Sequence, residues 1–388
     1  MTLPKIPESL AVYVHWPWCL AKCPYCDFNA HVWDDIPRKA YISALVSDLT
    51  TMRELSGPRR IESVFFGGGT PSLMRAGEVA AVLETVADLW DFSGAEVTLE
   101  CNPTSSSAAL FGELKAAGVN RVSVGVQSTK AEWLEFLGRK HDVRQALETL
   151  KAAQKVFARV NADVIFGLPN QNLDIWKQQL KQLSCLDIGH VSAYQLTIEP
   201  QTRFFGQVRR GEWAPLEDDT QADFMAATEE VLAAQGYAQY EVSNHARDGQ
   251  VCRHNLHVWR YGDYAGVGAG AHGRLTLTDG RKAALKVTKH PRNYLARAAR
   301  REPTFAQELL TPQETATERL LSGLRLNEGV SFMDASSGDD EKPAQIVSGK
   351  VVDLMVKSGF LQLADGMLRL TGAGRRVMDG VLAELVRA

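Results

Sequence analysis

Nowhere in the 388 residues is there an uninterrupted apolar run of about 18, the length that suggests a membrane-crossing helix. The start, Met1 to Leu10, lacks the basic and apolar regions of a secretory signal, so a cytoplasmic location is expected. No charge sign dominates. Lys and Arg number 43 against 46 Asp and Glu, a net charge of −3, which offers no electrostatic footprint for nucleic acid or an anionic membrane. Cysteine is scarce, and three of the six fall between positions 19 and 26, with the others at 101, 185 and 252. That is unlike a disulfide framework and fits a reducing compartment. Internal repeats and low-complexity tracts are also missing. The length allows a large core with at least one appended unit, hence two or three domains.

The informative part is the crowded part. Cys19, Cys23 and Cys26 form a Cys-x3-Cys-x2-Cys run directly after the apolar stretch Ala11 to Trp16. Such spacing could be one face of a helix, with cysteine as a small hydrophobe. Pro24 argues against it, because proline breaks a helix interior at a cost of about 3 kcal/mol and drives Cys23 out of the α region. A loop with three thiolates reads as a metal site. Iron–sulfur clusters are commonly held by four cysteines, so three leave one iron open; zinc also accepts closely spaced thiolates.

Short β-rich runs alternate with helical patterns through the first half. The strands are Val12–His15, Ser63–Phe66, Glu96–Leu99, Arg121–Val126, Ala162–Phe166 and His190–Leu196; the helices are Arg38–Glu54, Gly77–Leu89, Ser107–Ala117, Val143–Phe157 and Leu173–Leu183. Strands joined by helices pair in parallel with right-handed crossovers. The expected fold is α/β, a partial (β/α)6 barrel over residues 1–200. Residues 201–300 read as a connector, with a helix at Gln221–Ala234 and a Gly-rich segment at Gly262–Gly273. Residues 301–388 read as a smaller C-terminal α+β domain: a helix after Thr311-Pro312, a polar loop Ser336–Glu341, a helix Ala344–Lys357 and a hairpin turning at Asp365-Gly366. Helices with a wing also outline a DNA-binding unit, which the charge balance disfavours.

Gly67-Gly-Gly-Thr-Pro71 ends the second strand, where bare glycine backbone would expose N–H groups to an anionic or zwitterionic ligand. Glu100, Gln127 and Asp163 lie in or just after the next three strands, at the rim where ligands gather in such folds.

With these motifs on view, the chain resembles the radical S-adenosylmethionine (SAM) superfamily, specifically the oxygen-independent coproporphyrinogen III oxidase family and its HemW-type heme-chaperone branch. The resemblance covers nearly the whole chain. It is carried by Tyr13–Cys19, Gly67–Ser72, Glu100–Pro103, Arg121–Gln127, Asp163–Pro169 and His254–Trp259. It implies a [4Fe-4S] cluster on Cys19, Cys23 and Cys26, with SAM on the fourth iron and its reductive cleavage giving methionine and a 5′-deoxyadenosyl radical. By position, Tyr13 and Tyr25 would lie near the cluster and adenine, Gly68, Gly69 and Thr70 would cradle the methionine end, and Glu100 would contact the same SAM. Gln127, Arg139 and Asp163 match residues assigned to a second SAM in the oxidase. A reductant protein such as flavodoxin or ferredoxin would serve the cluster.

Two departures favour the chaperone branch over the oxidase: Phe28 stands where the oxidase has a further cysteine, and only ten residues precede the first strand's core. That branch carries a His-Asn-x-x-Tyr-Trp motif associated with heme. Here it reads His254-Asn-Leu-His-Val-Trp259, with Val258 at the tyrosine position. An imidazole can ligate heme iron and an indole can cover a porphyrin face, which makes His254 and Trp259 heme candidates, followed by Cys252, His257 and His272. The expectation is a heme chaperone that passes heme to an acceptor hemoprotein; the rivals are the oxidase and a scaffold with an inert cluster.

Overall fold

In the computed structural model, which describes residues 6–332 and 347–387, the first half folds as alternating strands and helices. Six strands, β1 (Ser9–Trp16), β2 (Arg60–Gly68), β3 (Glu96–Cys101), β4 (Arg121–Gln127), β5 (Arg159–Phe166) and β6 (His190–Gln195), lie side by side in chain order, every neighbouring pair parallel. The connections run through α1 (Arg38–Ser56), α2 (Ala76–Leu89), α3 (Ala108–Ala116), α4 (Ala131–Phe136) with α5 (Val143–Gln154), and α6 (Leu173–Ser184). This is an open, partial barrel.

Period-two alternation sorts the strand residues. Leu10, Val12, Val14 and Trp16 of β1 are fully buried, as are Tyr41, Leu45, Leu49 and Met52 of α1, which recur at helical spacing and belong to the same core. Truncating Leu45 to Ala there should cost about 2–5 kcal/mol. The other set is polar, which parallel strands buried on both faces ordinarily avoid. In register stand Glu100 beside Ser123, Ser123 beside Asn161, Asn161 beside His190, and Asp163 beside Ser192. Their hydrogen bonds make a connected interior. Asn161 Nδ2 donates to Ser123 Oγ (2.6 Å), Asp163 Oδ1 (2.7 Å) and Ser192 Oγ (2.9 Å), while the His190 ring bridges Asn161 Oδ1 and the Tyr240 hydroxyl.

The region expected to be a connector instead extends the sheet. After helices Arg203–Arg209 and Asp218–Ala234, strands Ala238–Glu241 and Asn244–Ala246 add to the β6 edge, and Tyr264–Val267, His272–Thr276, Lys282–Val287 and Phe305–Leu309 add to the β1 edge. Among the described residues the sheet has twelve strands, the last at Phe305–Leu309, beyond the boundary expected at 301. The added strands are only three to six residues long, so their periodicity is faint in the sequence. A buried ion cluster ties the extension down: Asp263 pairs with Arg59 (3.0 Å) and Lys282 (2.5 Å) and accepts from Thr276.

The C-terminal residues have a core of their own. Helix Pro312–Gly323, capped by Thr311 and Glu314, contributes Ala316 and Leu320, which pack with Val352, Leu368 and Leu385. The expected hairpin is Leu361–Ala364 with Met367–Leu370, joined by Val330–Ser331 into a three-stranded sheet. A helix runs over Gly349–Lys357 and begins later than expected; the polar loop Ser336–Glu341 lies outside the described residues. Glu318 fastens this unit to the large one by a two-pronged pair with Arg274 and a bond from Tyr261.

Candidate functional site

The cysteine loop leaves β1 and is clamped from two sides. On one side Gly69 N donates to Trp16 O (2.7 Å), Thr70 N to Trp18 O (2.8 Å) and Gly68 N to Glu100 Oε2 (3.2 Å). These N–H groups are therefore spent within the protein and are not offered to a ligand, which corrects the expectation for the glycine run. The glycines serve close approach instead. A Cβ on Gly69 would meet Trp18 O at 2.6 Å, and one on Gly68 the His15 ring at 2.6 Å, with Gly68 also at φ +114°. On the other side Asn29 Nδ2 donates to Ala269 O (2.8 Å) and Lys289 O (2.7 Å), so the second Gly-rich segment grips the loop's far end. Buried His15 links the two, accepting from Tyr13 Oη at Nδ1 and donating from Nε2 to Asn29 O. Burial pushes its pKa down to about 4, so it stays neutral.

A cavity of about 410 Å³ opens beside the loop, within the size range of small-molecule sites. Cys19, Cys23 and Cys26 line it as free, half-buried thiols. Among the described residues no three His, Cys, Asp or Glu side chains are grouped to hold a metal ion. A cluster takes its thiolates at separate iron corners, so they need not converge on one point. Burial raises the Cys19 thiol to about 11 and raises Cys26 as well, so loading iron must displace protons.

Across the cavity stand Tyr25, Gly68, Gly69, Thr70, Glu100 and Arg139, together with Gln127 and Asp163, so the sequence-expected SAM residues are brought together with the cysteines, Tyr13 excepted. Arg139 places Nη1 at 3.6 Å from Cys23 Sγ and 3.4 Å from Tyr25 Oη, while Nη2 donates to Gly125 O. Its Nε is buried without a partner, a donor left for an anionic ligand group. Burial, and behind it the Asp163 carboxyl, pushes Glu100 up to about 8. Asp163 is likewise raised by burial although Ser123 and Asn161 donate to it. Gln127 sits at φ 65° beside a register shift in β4, a left-handed conformation that strains a non-glycine residue. Two carboxyls whose protonation burial favours, an unspent guanidinium donor and three thiols suit a cluster together with a zwitterionic, cationic ligand such as SAM. The cluster's chemistry, when bound, is one-electron reduction of a sulfonium.

Other expected residues lie away from this rim. Tyr13 does not line the cavity; its ring stacks on Phe65. His254 is buried beneath it, its Nδ1 2.9 Å from Ser63 Oγ, its backbone N donating to Glu96, its ring 5.0 Å from Phe65. Burial drives its pKa to about 3. Trp259, at the far end of the same short helix (Arg253–Trp259), lies under the Arg325 guanidinium. Cys252 is buried beside Glu96, His257 is 2.8 Å from Asp263 O, and His272 is exposed. His15, Asn29 and Tyr41 assemble the loop, and the sequence alone assigns none of them that part. His15 and Asn29 flank the cysteine run, and that proximity was the available signal.

Comparison with known proteins follows the same outline. The Radical SAM superfamily profile matches residues 13–182 and the HemN C-terminal domain profile residues 310–377. The heme chaperone HemW of Escherichia coli is 41% identical over 75% of this chain and 76% of its own, and that of Mycobacterium tuberculosis 33% over 99% and 96%. The mitochondrial radical S-adenosyl methionine domain-containing protein 1 of Danio rerio is 39% identical over 98% of this chain and 88% of its own. The solved structure of coproporphyrinogen III oxidase (HemN) from Escherichia coli superposes with a TM-score of 0.80, covering 99% of this chain and 91% of that one at 19% identity, a likeness of fold alone. Sequence and fold together place the chain in the radical SAM superfamily, in the HemW-type branch of the HemN family.

Proposed function

We propose that this protein is a heme chaperone: it binds heme, carries a [4Fe-4S] cluster and SAM in the rim cavity, and passes heme to an acceptor hemoprotein. The observation that carries the reading is similarity at 33–41% identity, over 75% to 99% of the chain, to proteins named heme chaperone HemW. The cavity is consistent with it. Cys19, Cys23 and Cys26 would hold the cluster, Glu100 and Arg139 the polar end of SAM, with Gln127 and Asp163 next to them. Phe28, 60% exposed at the cavity mouth, gives no thiol where the oxidase resemblance expects one. A small low-potential carrier of flavodoxin or ferredoxin type would reduce the cluster, and a cytoplasmic setting would suit the free thiols.

The oxidase alternative rests on fold likeness and makes a different prediction. Anaerobically reconstituted protein should bind ferric heme in a titration followed by absorbance. Supplied with SAM, a low-potential reductant and coproporphyrinogen III, it should form no protoporphyrinogen. Sustained conversion would replace the chaperone reading with the oxidase.

A further inference from the structure

Asn29 fixes more than the loop. Both hydrogens of its Nδ2 are taken by backbone carbonyls, Ala269 O at 2.8 Å and Lys289 O at 2.7 Å, so the amide cannot be flipped and Oδ1 must be the acceptor. The ring nitrogen 3.1 Å from that oxygen is His31 Nε2, which must therefore carry the proton. In the neutral ring the lone pair is left on Nδ1. An imidazole whose one N–H is anchored on a carbonyl while the other nitrogen is free is the arrangement that orients a metal-binding histidine.

The surroundings of this ring select the metal's carrier. His31 and His290 have ring centroids 5.3 Å apart, and Trp33 lies 6.3 Å from the first and 6.4 Å from the second. His290 Nδ1 accepts from Arg292 N as a helix cap, so its own proton sits on Nε2 and the lone pair is spent. Of the two imidazoles only His31 offers a ligand. Val32, 52% exposed, adds apolar surface, and the Arg292 guanidinium lies 5.3 Å from the Trp33 ring. Lys22, Lys289 and His290 are the ionisable groups that bear on His31. A single imidazole ligand, an indole and a valine for an apolar ring system, and cations for carboxylates fit a planar anionic metal complex better than a bare cation, which these positive neighbours would repel.

We infer that His31, with Trp33, His290, Lys289 and Arg292 around it, forms a heme-docking site on the outer side of the cysteine loop, His31 Nδ1 taking the iron and the cations the propionates. The site rests on the heme-chaperone reading and supplies its location. It is joined to the cluster loop through the main chain, since Cys19 N donates to His31 O (3.0 Å) and His31 N to Pro17 O (2.8 Å). His254, enclosed and engaged by Ser63, would have to leave its pocket to reach an iron.

The test is a ferric-heme titration of wild type, His31→Ala, His290→Ala and His254→Ala, with iron and sulfide measured in parallel. His31→Ala should shift the Soret band and weaken heme binding about tenfold or more, the scale at which even outer partners of metal ligands act. Added imidazole should restore the band, and cluster content should be kept because only a side chain is removed. His290→Ala should cause a smaller loss of affinity, and His254→Ala should leave the Soret band in place. An unchanged Soret band and affinity in His31→Ala would overturn the site, as would a shifted band in His254→Ala alone. Wild type that takes up no heme would instead remove the chaperone reading on which the site stands.

Discussion

The two ends of the partial barrel carry similar residue types put to opposite uses. At the floor, many polar groups satisfy one another, although both ring nitrogens of His245 and Arg159 Nε have no partner: His190 bridges Asn161 and Tyr240, His254 meets Ser63, and Arg59 and Lys282 surround Asp263. At the rim they are left short. Arg139 Nε has no partner, the Cys19 thiol is held protonated by burial, and Glu100 keeps its proton to about 8. Buried polar groups cost free energy unless paired, so a completed network is a frame and an incomplete one is a place for something else to bind. A histidine beside a family motif is therefore weaker evidence for a ligand than a histidine whose partner set has a gap.

The largest expected effect falls on the rim. Cys19→Ala, Cys23→Ala or Cys26→Ala should abolish the cluster in anaerobic reconstitution, since two thiolates ligate it inadequately. Cys101→Ser and Cys185→Ser, whose thiols are buried in the core and exposed on the surface, should keep full iron and sulfide. Undiminished iron in the Cys19 variant would dissolve the distinction between the ends.

Next comes the clamp. Gly69→Ala puts a methyl group at 2.6 Å from Trp18 O and should lower stability by about 1–3 kcal/mol in denaturant unfolding. Gly77→Ala, in helix α2 with nothing within 4 Å, should be stabilising by about 0.5–1 kcal/mol. Equal effects at the two sites would mean that the glycine run does not bind the cysteine loop through close packing.

A pH experiment separates frame from site more finely. The folded protein retains a proton on Glu100 up to about 8, whereas the unfolded chain releases it near the ordinary value of 4.5. Stability owed to this group is thus present at low pH and falls as pH rises through that window. Glu100→Gln should flatten the slope and, near pH 8.5, make the protein more stable by about 1 kcal/mol or more. The same substitution should weaken SAM binding. Loss of stability at that pH would show that Glu100 belongs to the frame.

The repeating β/α pattern was legible because apolar residues at period two and 3.6 are set by the core: α1 starts at Arg38 and α5 at Val143 as the sequence predicts. The cysteine loop was legible because Pro24 excludes a helix. What escaped was long-range. The strands from Tyr264 to Leu309 are stabilised by pairing with β1 and with each other, not by local propensity, and so left little trace in the sequence. The chemistry of the glycine run was not legible, because only the fold shows that Trp16 and Trp18 carbonyls claim the N–H groups of Gly69 and Thr70. His31 carries no signal in the sequence; its lone pair follows from an amide whose two acceptors lie some 240 and 260 positions away.

The division between binding rim and structural floor is tested most directly by calorimetric titration of SAM into anaerobically reconstituted wild type, Glu100→Ala and Ser63→Ala, with cluster content matched. Ser63→Ala removes the floor partner of His254 and should lower thermal stability while leaving SAM affinity at the wild-type value. Glu100→Ala should weaken SAM about tenfold or more, the equivalent of about 1.4 kcal/mol. Equal SAM affinity in wild type and Glu100→Ala, or a loss confined to Ser63→Ala, would contradict the account.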